Sequence, residues 1–246
     1  IGRHGASNTA RAYAKMAPKG SLWRWVGFLG VATGFLITGY YAVVAGWCLQ
    51  YMYASAANQL QGDHAAIASY FTDFSASAFL PVFWTAIILL FTHYVIIHGV
   101  RGGIEKASKM FMPTLFVLLL VIVVSSCMLP GAGKGISFLF NPDFSKLNSN
   151  VFLDALGQSF YFSRQTNLLK TAVQISIIDS VVAILAGLMI FPAAFSVGVS
   201  PDSGPSLIFI TLPHVFQQAF SGVPVLGYVL SILFYALLSL AAITSL

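Results

Sequence analysis

The chain has 246 residues, of which 58% are hydrophobic and only 8% charged. Soluble domains carry about 25% charged residues, so a soluble enzyme or binding module is excluded. The net charge of +5 is spread over short connections rather than gathered into a patch, which excludes a nucleic-acid surface.

The apolar residues come in long blocks. No Asp, Glu, Lys or Arg occurs between Arg24 and Asp63, over 74–100, over 110–133, or from Ser203 onward. About 20 apolar residues cross a bilayer as a helix. The alternation that marks an outer-membrane barrel is absent. The expected fold class is therefore an all-α polytopic membrane protein in one transmembrane domain.

In chain order, the start IGRHGASNTARAYAKM is basic, has no apolar signal core, and reads as a cytoplasmic loop. It lacks an initiator Met, so the chain is expected to be a fragment. Spans are predicted over 22–53, 78–99, 110–130, 174–197 and 224–246, the first long enough to tilt or project. The loop RGGIEKASKMFMP places Gly102, Gly103 and Pro113 at the entrance of a span, where they either loosen the helix start or make a simple turn. The connection 198–223 has no Lys or Arg and reads as an outer capping loop. Pro205, Pro213 and Pro224 are expected to break it into two short helical pieces.

Basic residues set sidedness. Residues 1–24 carry Arg3, Arg11, Lys15, Lys19 and Arg24, and the loop after the second span carries Arg101, Lys106 and Lys109. The bias places 1–21, 100–109 and 162–170 inside, and 54–77, 131–150 and 198–223 outside. A crossing is then required between Lys146 and Arg164. Only nine uncharged residues follow Asp154 there. As a helix they reach about 14 Å against a hydrocarbon core of about 30 Å. Segment 151–161 is thus expected to be half of a broken helix, the kind of element at which transporters bind substrate and ions. The alternative is that 162–170 lies on the other side.

Several residues carry possible chemistry. Asp179 is the acid deepest in a span, in QISIIDSVVAILAGLMIF. A carboxylate there points to a cation or proton site, or else to a structural hydrogen bond made by the protonated acid. Tyr40 and Tyr41 lie mid-span, where a hydroxyl needs a polar cavity or a helix-to-helix partner. Thr244 and Ser245 offer hydroxyl oxygens for a hard cation, or serve close helix packing. Gln158 lies in the short segment beside Phe160 and Tyr161 and needs a partner or a wet cavity. His93 and His98, five apart, do not share a helix face and suit an interfacial role better than metal binding. Cys48 and Cys127 sit in apolar blocks and read as buried thiols. No nucleophile–base pair or phosphate loop marks an enzyme.

Taken jointly, GYYAVVAGW, GIEKASKMFMP, LPGAGKGISFLFNPDFSKL, ALGQSF, TNLLK, DSVVAILAGLMIFPAAFS and GPSLIFITLP resemble the neurotransmitter:sodium symporter family in its bacterial branch, over nearly the whole chain. The resemblance implies an inverted-repeat transporter fold with broken helices, incomplete here, with the chain covering helices 3 to 8. It implies sodium-coupled uptake of amino acids or related small amines across the inner or plasma membrane by alternating access. Tyr41 falls on the tyrosine that meets the substrate carboxylate, Ile37 on an apolar wall of the pocket, and Phe160 and Tyr161 at its aromatic lid. Asp179 falls on a ligand of the first sodium site. Ala241, Thr244 and Ser245 fall on ligands of the second. Gln158 and Ala183 fall where chloride-dependent members hold chloride; Ala183 and the acid at Asp179 argue against chloride here. Gly103 and Pro113 match a spacing linked to unwinding of helix 5. The resemblance also implies that the unwound stretch and the inner half of helix 6 are skipped between Tyr161 and Phe162. Two alternatives stay open: a proton-coupled carrier using Asp179, and a transporter-like receptor or scaffold without flux.

Overall fold

Each charge-free block folds as a helix. In a computed structural model of the chain, which describes residues 7–18, 20–98, 104–141, 168–201 and 204–245, all regular structure among the described residues is helical. A short helix α1 (Thr9–Met16) and a 3-10 turn (Leu22–Trp25) precede α2 (Val26–Ala56). Then follow α3 (His64–Ala76), α4 (Leu80–His98), α5 (Ile104–Cys127), α6 (Ala132–Phe140), α7 (Leu168–Val197), α8 (Ser206–Ala219) and α9 (Pro224–Ser245). Five of the described helices (α2, α4, α5, α7 and α9) are long and apolar enough to cross a membrane. A lipid core leaves no water for backbone N–H and C=O groups, and a helix satisfies them internally.

Two expectations need correction. Pro213 does not break the 198–223 connection: one helix, α8, runs through it, with Pro205 as its N-cap. Proline at that position forfeits one backbone bond, but Leu207, Phe209, Leu212, Val215 and Phe216 around it are buried, and packing overrides propensity. Pro113 likewise sits inside α5, which begins at Ile104 rather than at the expected 110. The connections 54–77 and 131–150 contain α3 and α6. Asp63 starts α3 by accepting the Ala66 N–H at 2.9 Å. The half-helix 151–161, the required crossing and the join at Tyr161–Phe162 lie outside the described residues.

The chain forms two compact units. The first comprises residues 1–53, 74–112 and 235–246. Its seam is the approach of α2 to α4: a Cβ on Gly46 would lie 2.8 Å from the Thr85 nitrogen, so only glycine permits this contact. Ala42 and Ala45 of α2 bury against Ile88 of α4 and Ile243 of α9. Tyr51 and Tyr235 pack ring to ring, with centroids 5.4 Å apart.

The second unit comprises residues 54–73 and 113–234. Here α6 docks on α7 at Pro192: a Cβ on Gly135 would fall 2.5 Å from the Phe191 carbonyl and the Pro192 nitrogen. Phe138 closes the seam against Phe191 and Phe195. Helix α8 packs against α7 and is tied to α3 by the Phe71–Phe209 stack, with centroids 5.9 Å apart. Its Phe216 packs on Phe234 of α9. Small residues at such contacts let backbones approach closely, which drives helix association where lipid competes for every apolar surface.

Candidate functional site

Helix α2 is apolar all round, so its sequence alone does not choose a buried face. Its neighbours make the choice. Residues 42–49 are held by α4 and α9, with Leu49, Leu240 and Ala242 packed on the Ala42–Ala45–Ile88–Ile243 cluster. Tyr41 immediately precedes this pinned stretch and is 46% exposed; Ile37, one turn earlier on the same face, is 40% exposed. The Tyr40 and Tyr41 rings meet edge to face at 6.1 Å. Between Ile37 and Tyr41, Thr38 lines a cavity of about 440 Å³ with Leu89, Thr92 and His93. The pinned stretch therefore fixes the backbone that presents Tyr41, while the Tyr41 ring stays accessible.

The same cluster reaches the far end of α9. Ala241 is half-buried between Leu240 and Ala242, both of which pack on it. The structure thus brings Tyr41 and Ala241 into one unit, on helices joined by one apolar core. The side chains of Thr244 and Ser245 lie outside the described residues.

Asp179 belongs to the other unit, on α7. It is exposed, among exposed Ile177, Ile178, Val181 and Val182. A carboxylate in so apolar a stretch is costly at bilayer depth and calls for a cation, a proton or a polar partner. Ala183, one turn on, is exposed as well. Nearby, the Ser180 hydroxyl donates back to the Ser176 carbonyl at 2.8 Å. Gln158, Phe160, Tyr161 and Gly103 lie outside the described residues. Among the described residues no three His, Cys, Asp or Glu side chains gather as a transition-metal site. Cys48 is buried, and Cys127 is partly so, its thiol 3.9 Å from the Leu188 carbonyl.

Sequence reasoning missed a polar junction in the second unit. Ser55 and Ser231 share a buried hydrogen bond of 2.8 Å. Gln61 donates to the Tyr228 hydroxyl, and Gln217 of α8 donates to the Leu60 carbonyl. These groups line a cavity of about 230 Å³. His64 and His214 meet at 6.4 Å, and burial, followed by the neighbouring His64, lowers the His214 pKa. The one sequence signal was a serine inside each apolar block, which reads equally as packing.

Five membrane-capable helices among the described residues, small-residue seams and isolated polar groups at mid-helix mark a multi-pass membrane protein. The chain belongs to the Sodium:neurotransmitter symporter family, whose model matches residues 76–246. It is 37% identical to YhdH of Bacillus subtilis, an uncharacterized sodium-dependent transporter, over 97% of this chain and 56% of that protein. It is 33% identical to an uncharacterized sodium-dependent transporter of Haemophilus influenzae, over 100% of this chain and 58% of that protein. The crystal structure of MhsT in complex with L-phenylalanine superposes with a TM-score of 0.84 at 38% identity, covering 99% of this chain and 58% of that one. The chain thus spans somewhat more than half the length of these relatives. Its fold class is the inverted-repeat transporter fold of the family, and the family and these relatives are transporters rather than enzymes.

Proposed function

We propose that the full-length protein is a sodium-coupled symporter of neutral amino acids or related small amines, working by alternating access in the inner or plasma membrane with residues 1–21 cytoplasmic. The observation that carries this reading is the likeness over 99% of the chain to MhsT, a protein solved with L-phenylalanine.

In this reading the pinned half of α2 holds Tyr41 so that its hydroxyl donates to the substrate carboxylate, with Ile37 as an apolar wall and Phe160 and Tyr161 as the lid. A half-helix N-terminus adds its positive end to the same carboxylate. Asp179 supplies a carboxylate oxygen to a first sodium ion. The Ala241 carbonyl and the Thr244 and Ser245 hydroxyls supply oxygens to a second. Gln158 and Ala183 occupy the chloride positions, and with Ala183 offering no polar group, transport does not use chloride. Gly103 and Pro113 loosen the start of α5 when the inner side opens.

Equilibrium binding of radiolabelled L-phenylalanine to the purified full-length protein tests the reading. Binding in sodium chloride and in sodium gluconate, with little in choline chloride, is expected. Equal binding in choline would overturn sodium coupling, and a requirement for chloride would overturn the reading of Ala183.

A further inference from the structure

Helix α8 is joined to α3 by two imidazoles that no part of the proposed transport site uses. His64 opens α3 and His214 lies within α8. Their rings meet edge to face, with centroids 6.4 Å apart and planes at 82°. The Nδ1 atom of each is buried without a hydrogen-bond partner. A buried N–H lacking an acceptor is costly, whereas a bare ring nitrogen is a weaker loss. The arrangement therefore suits two neutral rings, each carrying its proton on Nε2. Protonating His214 places an N–H at Nδ1, where nothing accepts it.

We propose that His64 and His214 form a proton-operated joint: neutral, they hold α8 to α3, and acidification releases that end of α8. His214 lines a cavity of about 840 Å³ with Ser125, Met128, Leu129 and Pro130 of α5 and the turn after it, and with Gln217 and Gln218 of its own helix. Asp63 is the one other titratable group among the described residues lining it, and its carboxylate is engaged by the Ala66 N–H at the start of α3. Among the described residues of α7, which packs on α8, none lines that cavity. The Phe71–Phe209 stack holds the other part of the α3–α8 contact and is indifferent to protons, so it serves as the pivot.

The direction follows from the lowered His214 pKa, set first by burial and then by His64. A histidine whose pKa is depressed in the closed form contributes a contact fully present above the ordinary histidine value of about 6.5 and lost as pH falls below it. For one proton, the open-to-closed ratio rises up to tenfold per pH unit through that window.

Spin labels on Ser69→Cys and Gln218→Cys, in full-length protein with Cys48 and Cys127 replaced by Ala, report the α3–α8 distance. A single short distance at pH 8 and a growing longer population at pH 5.5 are expected. His214→Phe and His64→Phe keep a ring but cannot protonate, and each should make the distance less pH-dependent, the double variant flat. Should the Phe variants not fold, His64→Gln and His214→Gln serve in their place. An unchanged distance in the wild-type background at pH 5.5, or undiminished acid opening in the double variant, would overturn the joint. This result is independent of whether the protein transports.

Discussion

Gly39 and Gly46 lie two turns apart on one helix, yet their surroundings are opposite. A Cβ on Gly39 meets nothing within 4 Å, and the same is true of Gly34. A Cβ on Gly46 strikes the backbone of Thr85. The first half of α2 exposes Phe28, Leu29, Phe35, Leu36, Ile37 and Tyr41, and the second buries Ala42, Ala45, Cys48, Tyr51 and Ala54. Both halves are apolar and both carry small residues; what separates them is that α4 and α9 pack on the second. In a membrane protein apolarity does not choose a packing face, because lipid is as apolar as a neighbouring helix. Neighbouring helices choose it, with Gly46 letting α4 come close, and Tyr41 sits where the tightly held half gives way to the open one.

The sharpest way to break this contrast is Gly46→Val. A branched side chain against the Thr85 backbone forces α2 and α4 apart, and we expect a loss of about 3 kcal/mol, read as a lowered unfolding midpoint in detergent. A midpoint equal to wild type would show that the α2–α4 seam is not close. Next in size is Tyr41→Phe, which removes one hydroxyl and leaves the ring. Substrate binding should weaken at least tenfold, as for a hydrogen bond to a charged group, with the unfolding midpoint unmoved. Unchanged affinity would remove Tyr41 from the substrate site. Smallest is Gly39→Ala, expected to leave stability level or raise it by at most about 1 kcal/mol through helix propensity. A loss as large as that at Gly46 would mean that the first half of α2 is packed as tightly in the full-length protein.

The helices that cross were legible because their composition allows nothing else: a run such as 224–246, free of charge, becomes α9. The short helices were not. Residues 54–77 and 131–150 were judged by charge, which reports sidedness and says nothing of whether HAAIASYFTDFSA is coiled or helical; the Asp63 cap was the overlooked signal. Pro213 misled because the residues around it, Leu207, Phe209, Leu212, Val215 and Phe216, are buried, and their packing holds the helix through the proline. Tyr41 and Asp179 stood out because a polar group in an apolar block is conspicuous by itself. His64 and His214, 150 positions apart in connections of no obvious periodicity, became a pair only once α3 and α8 packed.

In the proposed symport the sodium gradient drives substrate inward. Full-length protein reconstituted in proteoliposomes, loaded with potassium and diluted into sodium, should concentrate labelled L-phenylalanine above equilibrium, and collapse of the sodium gradient should release it. Accumulation that is the same with sodium, potassium or choline outside would contradict the account.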